Sequence, residues 1–284
     1  MSGLAPSARV AALALLALVG AASIGAHAQE TDEGSIELVD PHVLRACLDP
    51  RNLPFSNEAG EGFENKIAAL LASKLGKSLG NTFYPGATGF IRNTLNAHRC
   101  DVVTGIAQGD DLVQPTNPYY RTAYAAVLRK GGALDGLDSL SDPRLKSAKI
   151  GIVAGTPPVT YLATGGLLDK IKSYPLVVDT RFDSSSQAMM QDLEAGEIDV
   201  ALLWGPIAGY YALKAKTPMT VTPLVKETSG PKLVYRIVMG VRRADQNWKR
   251  SLNKAIAESQ GEIDAILRSY GVPLLDESDK PLSP

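Results

Sequence analysis

Histidine is scarce in this 284-residue chain: His27, His42 and His98 are the full complement, and none sits in a recognisable metal-ligand spacing. That scarcity argues against catalytic zinc or haem ligation and leaves ordinary acid–base schemes few groups to work with. Cysteine is rarer still. Cys47 and Cys100 are the only two, no Cys-x-x-Cys occurs, and a redox enzyme is disfavoured accordingly. No block of basic residues stands out against a formal charge of −1, so the electrostatic footprint of a nucleic-acid binder is missing. Gly86–Gly89 lacks the lysine pattern of a phosphate loop, and Gly151–Gly155 is not a dinucleotide fingerprint. Serines and acids are plentiful, yet no local motif pairs a nucleophile with a base. The expectation is a protein that is not an enzyme and carries neither cofactor nor metal.

Long apolar runs are equally few. Arg9 precedes the run Val10–Gly25, and Ala26-His27-Ala28 supplies a small-x-small cleavage site. At about 16 residues the run is short for a membrane span of roughly 20 and reads as a secretory signal peptide cleaved after Ala28. No lipobox cysteine follows it, and no later segment is apolar enough to cross a bilayer. Cleavage removes one base, Arg9, and no acid, leaving a formal charge of −2. In the oxidising compartment this leader implies, Cys47 and Cys100 read as one disulfide, with two separate buried thiols as the alternative.

Strand and helix patterns alternate along the remaining chain. Val43–Leu48 reads as a buried strand. Phe63, Ile67, Leu70, Leu71 and Leu75 then make one stripe of a helix that Gly76 ends. Strands are expected at Asn81–Tyr84 and Asp101–Gly105, with a short helix around Phe90 and Leu95. A second lobe starts at Lys149–Val153, continues through a helix reaching Leu168, and has a strand over Pro175–Asp179. Ser184 and Gln187 stand at capping-box spacing ahead of a helix that runs to Gly196. Ile198–Leu203 is the next strand. Thr122–Arg129 and Tyr235–Val241 are extended enough to connect two lobes, and a final helix over Asn247–Ser269 is open to division at Gly261. The resulting organisation is a signal peptide over 1–28, a flexible N-terminus over 29–42, a discontinuous first lobe over 43–128 and 240–276, a second lobe over 129–239, and a loose tail over 277–284. The fold class is α/β with largely parallel connections.

Four local motifs carry a family resemblance. Gly62-Phe63-Glu64-Asn65-Lys66-Ile67-Ala68, Leu95 with Cys100-Asp101-Val102-Val103, Pro118-Tyr119-Tyr120, and Leu193-Glu194-Ala195-Gly196-Glu197-Ile198-Asp199-Val200 are similar, in order, to segments of periplasmic solute-binding proteins of polar amino-acid transporters. The resemblance implies the two-lobed periplasmic binding protein fold of type II, with the lobes joined by two hinge strands. Cys47-Leu48-Asp49-Pro50, Asn52-Leu53-Pro54-Phe55-Ser56-Asn57, the same Gly62-Phe63-Glu64-Asn65-Lys66-Ile67-Ala68 and Arg99-Cys100-Asp101-Val102-Val103 together look like the J-type periplasmic proteins associated with quinoprotein methanol dehydrogenases. That closer likeness implies a role in maturing or activating an alcohol dehydrogenase that uses calcium or a lanthanide with pyrroloquinoline quinone (PQQ). The dehydrogenase, with its cytochrome c system, would be the partner.

Departures from the amino-acid receptors point the same way. Those proteins usually carry a carboxylate-binding arginine just after the segment represented here by Thr104–Gln108, whereas this chain reads Gly109-Asp110-Asp111-Leu112-Val113. Where an acid commonly receives the ligand ammonium, Trp204-Gly205-Pro206 stands instead; an indole offers one donor and apolar area but no negative charge. The candidate cleft residues are Asp49, Asn52, Phe55, Gln108, Tyr119, Thr156 and Trp204. Thr156 could place a hydroxyl or amide against an anion, though helix capping needs the same residue type; Asp49 could orient the first loop or merely cap a turn. Arg51, Arg121 and Arg181 remain substitutes for the absent arginine. Hence the competing reading is an importer's receptor for an amino acid or a small apolar or aromatic solute. A receptor-like scaffold that changes its protein contacts by lobe closure is a third.

Overall fold

The computed structural model describes residues 37–282, which lie in one compact unit, Ser35–Pro284. The expected signal peptide falls outside the described residues. In chain order the elements are β1 (Val43–Leu48), a two-residue hairpin β2 (Arg51–Asn52) and β3 (Ser56–Asn57), α1 (Phe63–Lys74), β4 (Ser78–Phe83), α2 (Phe90–Asn93) and β5 (Val102–Ala107). Next come β6 (Gln114–Pro115), β7 (Tyr120–Arg129), β8 (Ile150–Val153), α3 (Pro158–Thr164), β9 (Ile171–Tyr174), α4 (Ser185–Ala195) and β10 (Val200–Trp204). The chain continues through α5 (Gly205–Lys214), β11 (Met219–Pro223), β12 (Val234–Val241), α6 (Gln246–Glu258) and α7 (Gln260–Ser269).

The first lobe grows from β1. It pairs in parallel with β4 from Val43↔Ser78 to Leu48↔Phe83 and with β5 at Ala46↔Val102 and Cys47↔Val103. The stripe read from the sequence does its work here, since Phe63, Ile67 and Leu71 of α1 are buried against Leu44 and Leu48. The C-terminal helices return to this lobe, adding Trp248, Leu252, Ile256, Ile263 and Leu267 to the same core. Each such side chain contributes about 1.5–3 kcal/mol of apolar burial. The long final helix does divide, at Ser259, one residue before α7 begins and two before Gly261.

In the second lobe, alternate residues of β10 face opposite ways. Val200 and Leu202 pack with Ile150, Ile152 and Leu162, while Ala201 and Leu203 pack with Met189 and Leu193. The paired methionines are therefore core residues. Ser184 caps α4, its hydroxyl accepting the Gln187 amide at 3.2 Å, and Gly196 ends the helix at φ 80°, a left-handed value suited to glycine.

Between the lobes lie β7 and β12, antiparallel at the centre of the order β4-β1-β5-β12-β7-β10-β8-β9. One side of β12 pairs with β5, and its other side meets the first half of β7. The second half of β7 pairs with β10 and β11. These are the two hinge strands.

Two expectations need correction. The strand assigned to Pro175–Asp179 lies earlier, at Ile171–Tyr174, where it pairs in parallel with β8 from Ile150↔Ile171 to Val153↔Tyr174. Pro175, having no N–H, follows the last rung. The helix drawn as far as Leu168 stops at Thr164, because Gly165 and Gly166 follow. Where described, both ends of the chain make hydrogen bonds to more distant segments. Glu37 accepts the Asn247 and Trp248 amides at the start of α6, and Leu282 donates to the Leu274 carbonyl at 2.9 Å.

Cys47 and Cys100 are joined, with Cα atoms 5.6 Å apart. Adjacent parallel strands bring them together, and Asp101, fully buried, is held beside them by Arg45 at 2.7 Å and Arg242 at 2.6 Å. Arg242 also donates to the Cys100 carbonyl at 2.6 Å.

Candidate functional site

A cavity of about 930 Å³ lies between the lobes. Its first wall is the loop after β1, and that loop is fixed by the start of α1. The Phe63 amide donates to the Pro54 carbonyl at 2.9 Å and the Glu64 amide to the Phe55 carbonyl at 2.8 Å. Two of the helix's four unpaired donors thereby hold the loop. Asn65 adds its side-chain oxygen, accepting the Asn57 amide at 3.0 Å and the Gly62 amide at 3.2 Å. Gly62 is required by space: a Cβ there would stand 2.1 Å from the Phe55 carbonyl oxygen. The ring of Phe55, so positioned, is 5.2 Å from that of Phe63.

The floor comes from the hinge. Trp204 ends β10 in register with Tyr124 of β7. Its ring lies 5.3 Å from Tyr124 and 5.5 Å from Tyr235 of β12, both edge-on. Burial, then the neighbouring Tyr235, pushes the Tyr124 hydroxyl up to about 12. The opposite lip is the segment between β9 and α4, in which Leu176, Val177 and Phe182 are exposed. Among the described residues, Arg51 and Asp183 are the only lining side chains of a basic or carboxylic type. Its lining mixes these rings and aliphatic side chains with uncharged polar ones, Asn52, Asn57, Thr156, Thr180, Ser184, Ser185 and Ser186, so an apolar or aromatic group would meet ring faces together with hydrogen-bond partners.

A second cavity of about 390 Å³ opens beside the first, lined by lobe-one residues and by Trp204. Asn52, Phe55, Gly105 and Trp204 border both. Glu64 lines the smaller one, 7% exposed, with its Oε2 accepting the Thr104 hydroxyl at 2.8 Å. Burial, reinforced by the charge of Asp49, pushes this carboxyl up to about 7 against the opposing Thr104 bond.

The expected site residues divide between these spaces and elsewhere. Asn52, Phe55, Thr156 and Trp204 line the large cavity, and Asp49 lines the small one. Asp49 also acts as a bracket, accepting the Arg51 amide at 2.7 Å and the Gly86 amide. The Thr156 hydroxyl is committed to the Val153 carbonyl at 2.7 Å, and Pro157 and Pro158 leave the following turn without two N–H donors. Tyr119 and Gln108 line neither cavity. Tyr119 is buried in the lobe-one core, where its hydroxyl oxygen accepts the Gly105 amide at 3.0 Å; Gln108 is exposed. Of the substitute arginines, Arg51 lines the cavity, Arg121 pairs with Asp279, and Arg181 pairs with Asp179 at 2.5 Å. Asp110 caps its own turn, accepting the Leu112 amide at 2.8 Å.

Sequence reasoning missed Tyr120, Tyr124, Tyr235 and Glu64. A four-residue spacing on an extended strand puts Tyr120 and Tyr124 on one face, which was the available signal. Nothing local marks Tyr235 or the burial of Glu64.

Two α/β lobes, two crossing strands and a cavity between them define a bilobal binding-protein scaffold. The family of bacterial extracellular solute-binding proteins matches residues 101–272. Protein MoxJ of Methylorubrum extorquens is 30% identical, over 95% of each chain. The crystal structure of periplasmic binding protein XoxJ from Methylobacterium extorquens is 43% identical, with a TM-score of 0.70 over 82% of this chain and 100% of that one. MxaJ from Methlophaga aminisulfidivorans, 26% identical, gives the same TM-score and coverage. The chain belongs to the bacterial extracellular solute-binding protein family, on the branch of the MoxJ-like periplasmic proteins. Among the described residues no helix is long and apolar enough to cross a membrane, and no group of three or more metal-ligating side chains occurs.

Proposed function

We propose that this protein is a non-catalytic periplasmic accessory protein that binds a PQQ-dependent methanol or alcohol dehydrogenase and assists its maturation or activation. The inter-lobe cleft receives an apolar or aromatic segment of that partner. Kinship with MoxJ, XoxJ and MxaJ along nearly the whole chain supports the partner. The observation that carries the mode of binding is the cleft itself: Phe55, Tyr120, Tyr124, Trp204 and Tyr235 face a space that holds one rim arginine and one aspartate. A free amino acid needs a cation for its carboxylate and an acid for its ammonium, since each charge is costly to bury unpaired, and Arg51 and Asp183 are the one such charged pair in the lining, which favours the second reading below.

An importer's receptor is the second reading, favoured by a cavity of about 930 Å³, within the usual range for small-ligand sites. The two are separated by affinity capture from native periplasm, with mass spectrometry of captured proteins and of released small molecules. Recovery of a quinoprotein dehydrogenase without a stoichiometric solute is expected; a tightly held amino acid with no dehydrogenase would overturn the proposal. Phe55→Ala with Trp204→Ala should weaken dehydrogenase association at least tenfold while far-ultraviolet circular dichroism stays unchanged. Full affinity in the folded double variant would remove the cleft from the interface.

A further inference from the structure

The two ends of the strand order are guarded differently. At one end β9 is short, carries Lys172 and stops at Pro175, features that discourage a further strand from adding there. At the other end β4 has none of them. Its residues Ser78–Phe83 are uncharged, include no proline, and pair with β1 in unbroken register. The Ser78 amide donates to the His42 carbonyl, and the Tyr84 amide to the Leu48 carbonyl. Along a strand in a parallel ladder, successive residues turn their backbone groups alternately to one side and the other. The even-numbered residues are therefore tied to β1, while the N–H and C=O groups of Leu79, Asn81 and Phe83 point outward. Among the described residues no other strand or loop bonds to those groups.

An apolar margin runs beside this open edge. Leu79 and Phe83, with Leu70 of α1 and Leu75 just after it, pack on the lobe-one core yet are only half-buried. Side chains two apart on a strand share a face, so Leu79, Asn81 and Phe83 form one row. We infer that β4 is the interface of a two-fold dimer, pairing antiparallel with β4 of a second copy about an axis at Asn81. Leu79 of each copy then stands opposite Phe83 of the other, apolar against apolar, and Asn81 stands opposite its own mate. Every outward N–H and C=O finds a partner in that register. Moving the axis to Gly80 would set Phe83 against Lys77, whose amide is already committed to the Ala72 carbonyl. Moving it to Thr82 would set Leu79 against Pro85, which has no N–H. The missing charge selects a second copy as the occupant, because an uncharged strand meets itself without repulsion. Each β4 has one free edge, so the assembly closes at two. The inference is independent of dehydrogenase binding.

Sedimentation velocity of the purified mature chain tests it. The weight-average coefficient should climb from the monomer's to the dimer's between about 1 and 300 μM, the range of small interfaces. Asn81→Pro removes the central N–H donors. That amide faces away from β1, so far-ultraviolet circular dichroism should stay unchanged while dimerisation weakens at least tenfold. Asn81→Asp, at an exposed position, opposes two carboxylates across the axis and should also weaken the dimer severalfold at neutral pH. Register is read by air oxidation: Asn81→Cys should give a disulfide-linked dimer, and Thr82→Cys should not, since only residue 81 faces its own copy. A monomer throughout the concentration range, full dimerisation by the folded Asn81→Pro or Asn81→Asp protein, or linkage through Thr82→Cys as complete as through Asn81→Cys would each overturn the assignment.

Discussion

Replacing Glu64 by glutamine should make the protein more stable at neutral pH and change little in acid. Glu64 sits at 7% exposure with one hydrogen-bond donor, and its carboxyl is pushed from the ordinary 4.5 up to about 7. For an acid so shifted, the folded state keeps the proton over a range in which the unfolded chain has lost it. Stability therefore falls as pH rises from 4.5 towards 7, and the loss is complete above that. At 1.36 kcal/mol per pH unit, the gap corresponds to about 3 kcal/mol. Glutamine carries no charge at any of these values and still offers an oxygen to Thr104. Urea unfolding of both proteins at pH 4.5, 6 and 8 reads the difference directly. The variant should gain on the wild type progressively, by about 2–3 kcal/mol between the first and last. A difference that stays flat across the series would refute the reasoning, since every titration common to both proteins cancels.

Other outcomes follow from the same geometry. Gly62→Ala forces a methyl group into the Phe55 carbonyl, so it should cost about 1–3 kcal/mol in urea unfolding and expose the 52–57 loop to proteolysis; an unaltered cleavage pattern would contradict this. The bridge between Cys47 and Cys100 closes a sequence separation of 53 residues, and its removal by paired serine substitution should cost about 4 kcal/mol. Unreduced peptide mapping of periplasmic protein should recover the linked pair, and free thiols at both positions would reject it.

Much of this molecule was determined locally. The period-four stripe from Phe63 to Leu71, the Ser184 cap, the Gly196 stop and the alternation within β10 are each properties of a few neighbouring residues. A chain bearing them has little choice of helix, strand and buried face, which is why order and fold class could be read directly. The cysteines were legible as a candidate pair for a related reason: each lies at one of two strands that a parallel lobe sets side by side. Pairing partners across long separations were another matter. The strand near Tyr174 was misplaced because its ends are set by the register with β8, which no local pattern encodes. Tyr119 carries a tyrosine signal as good as its neighbour's, yet the hinge strand turns it into the core and leaves Tyr120 in the cleft. Glu64 reads in sequence as an ordinary first-turn acid on a helix. Only the approach of Thr104 and Gly105, forty residues on, removes its water and gives it a chamber without a cation. Burial is a sum over distant neighbours, and the chemistry of this cleft depends on that sum.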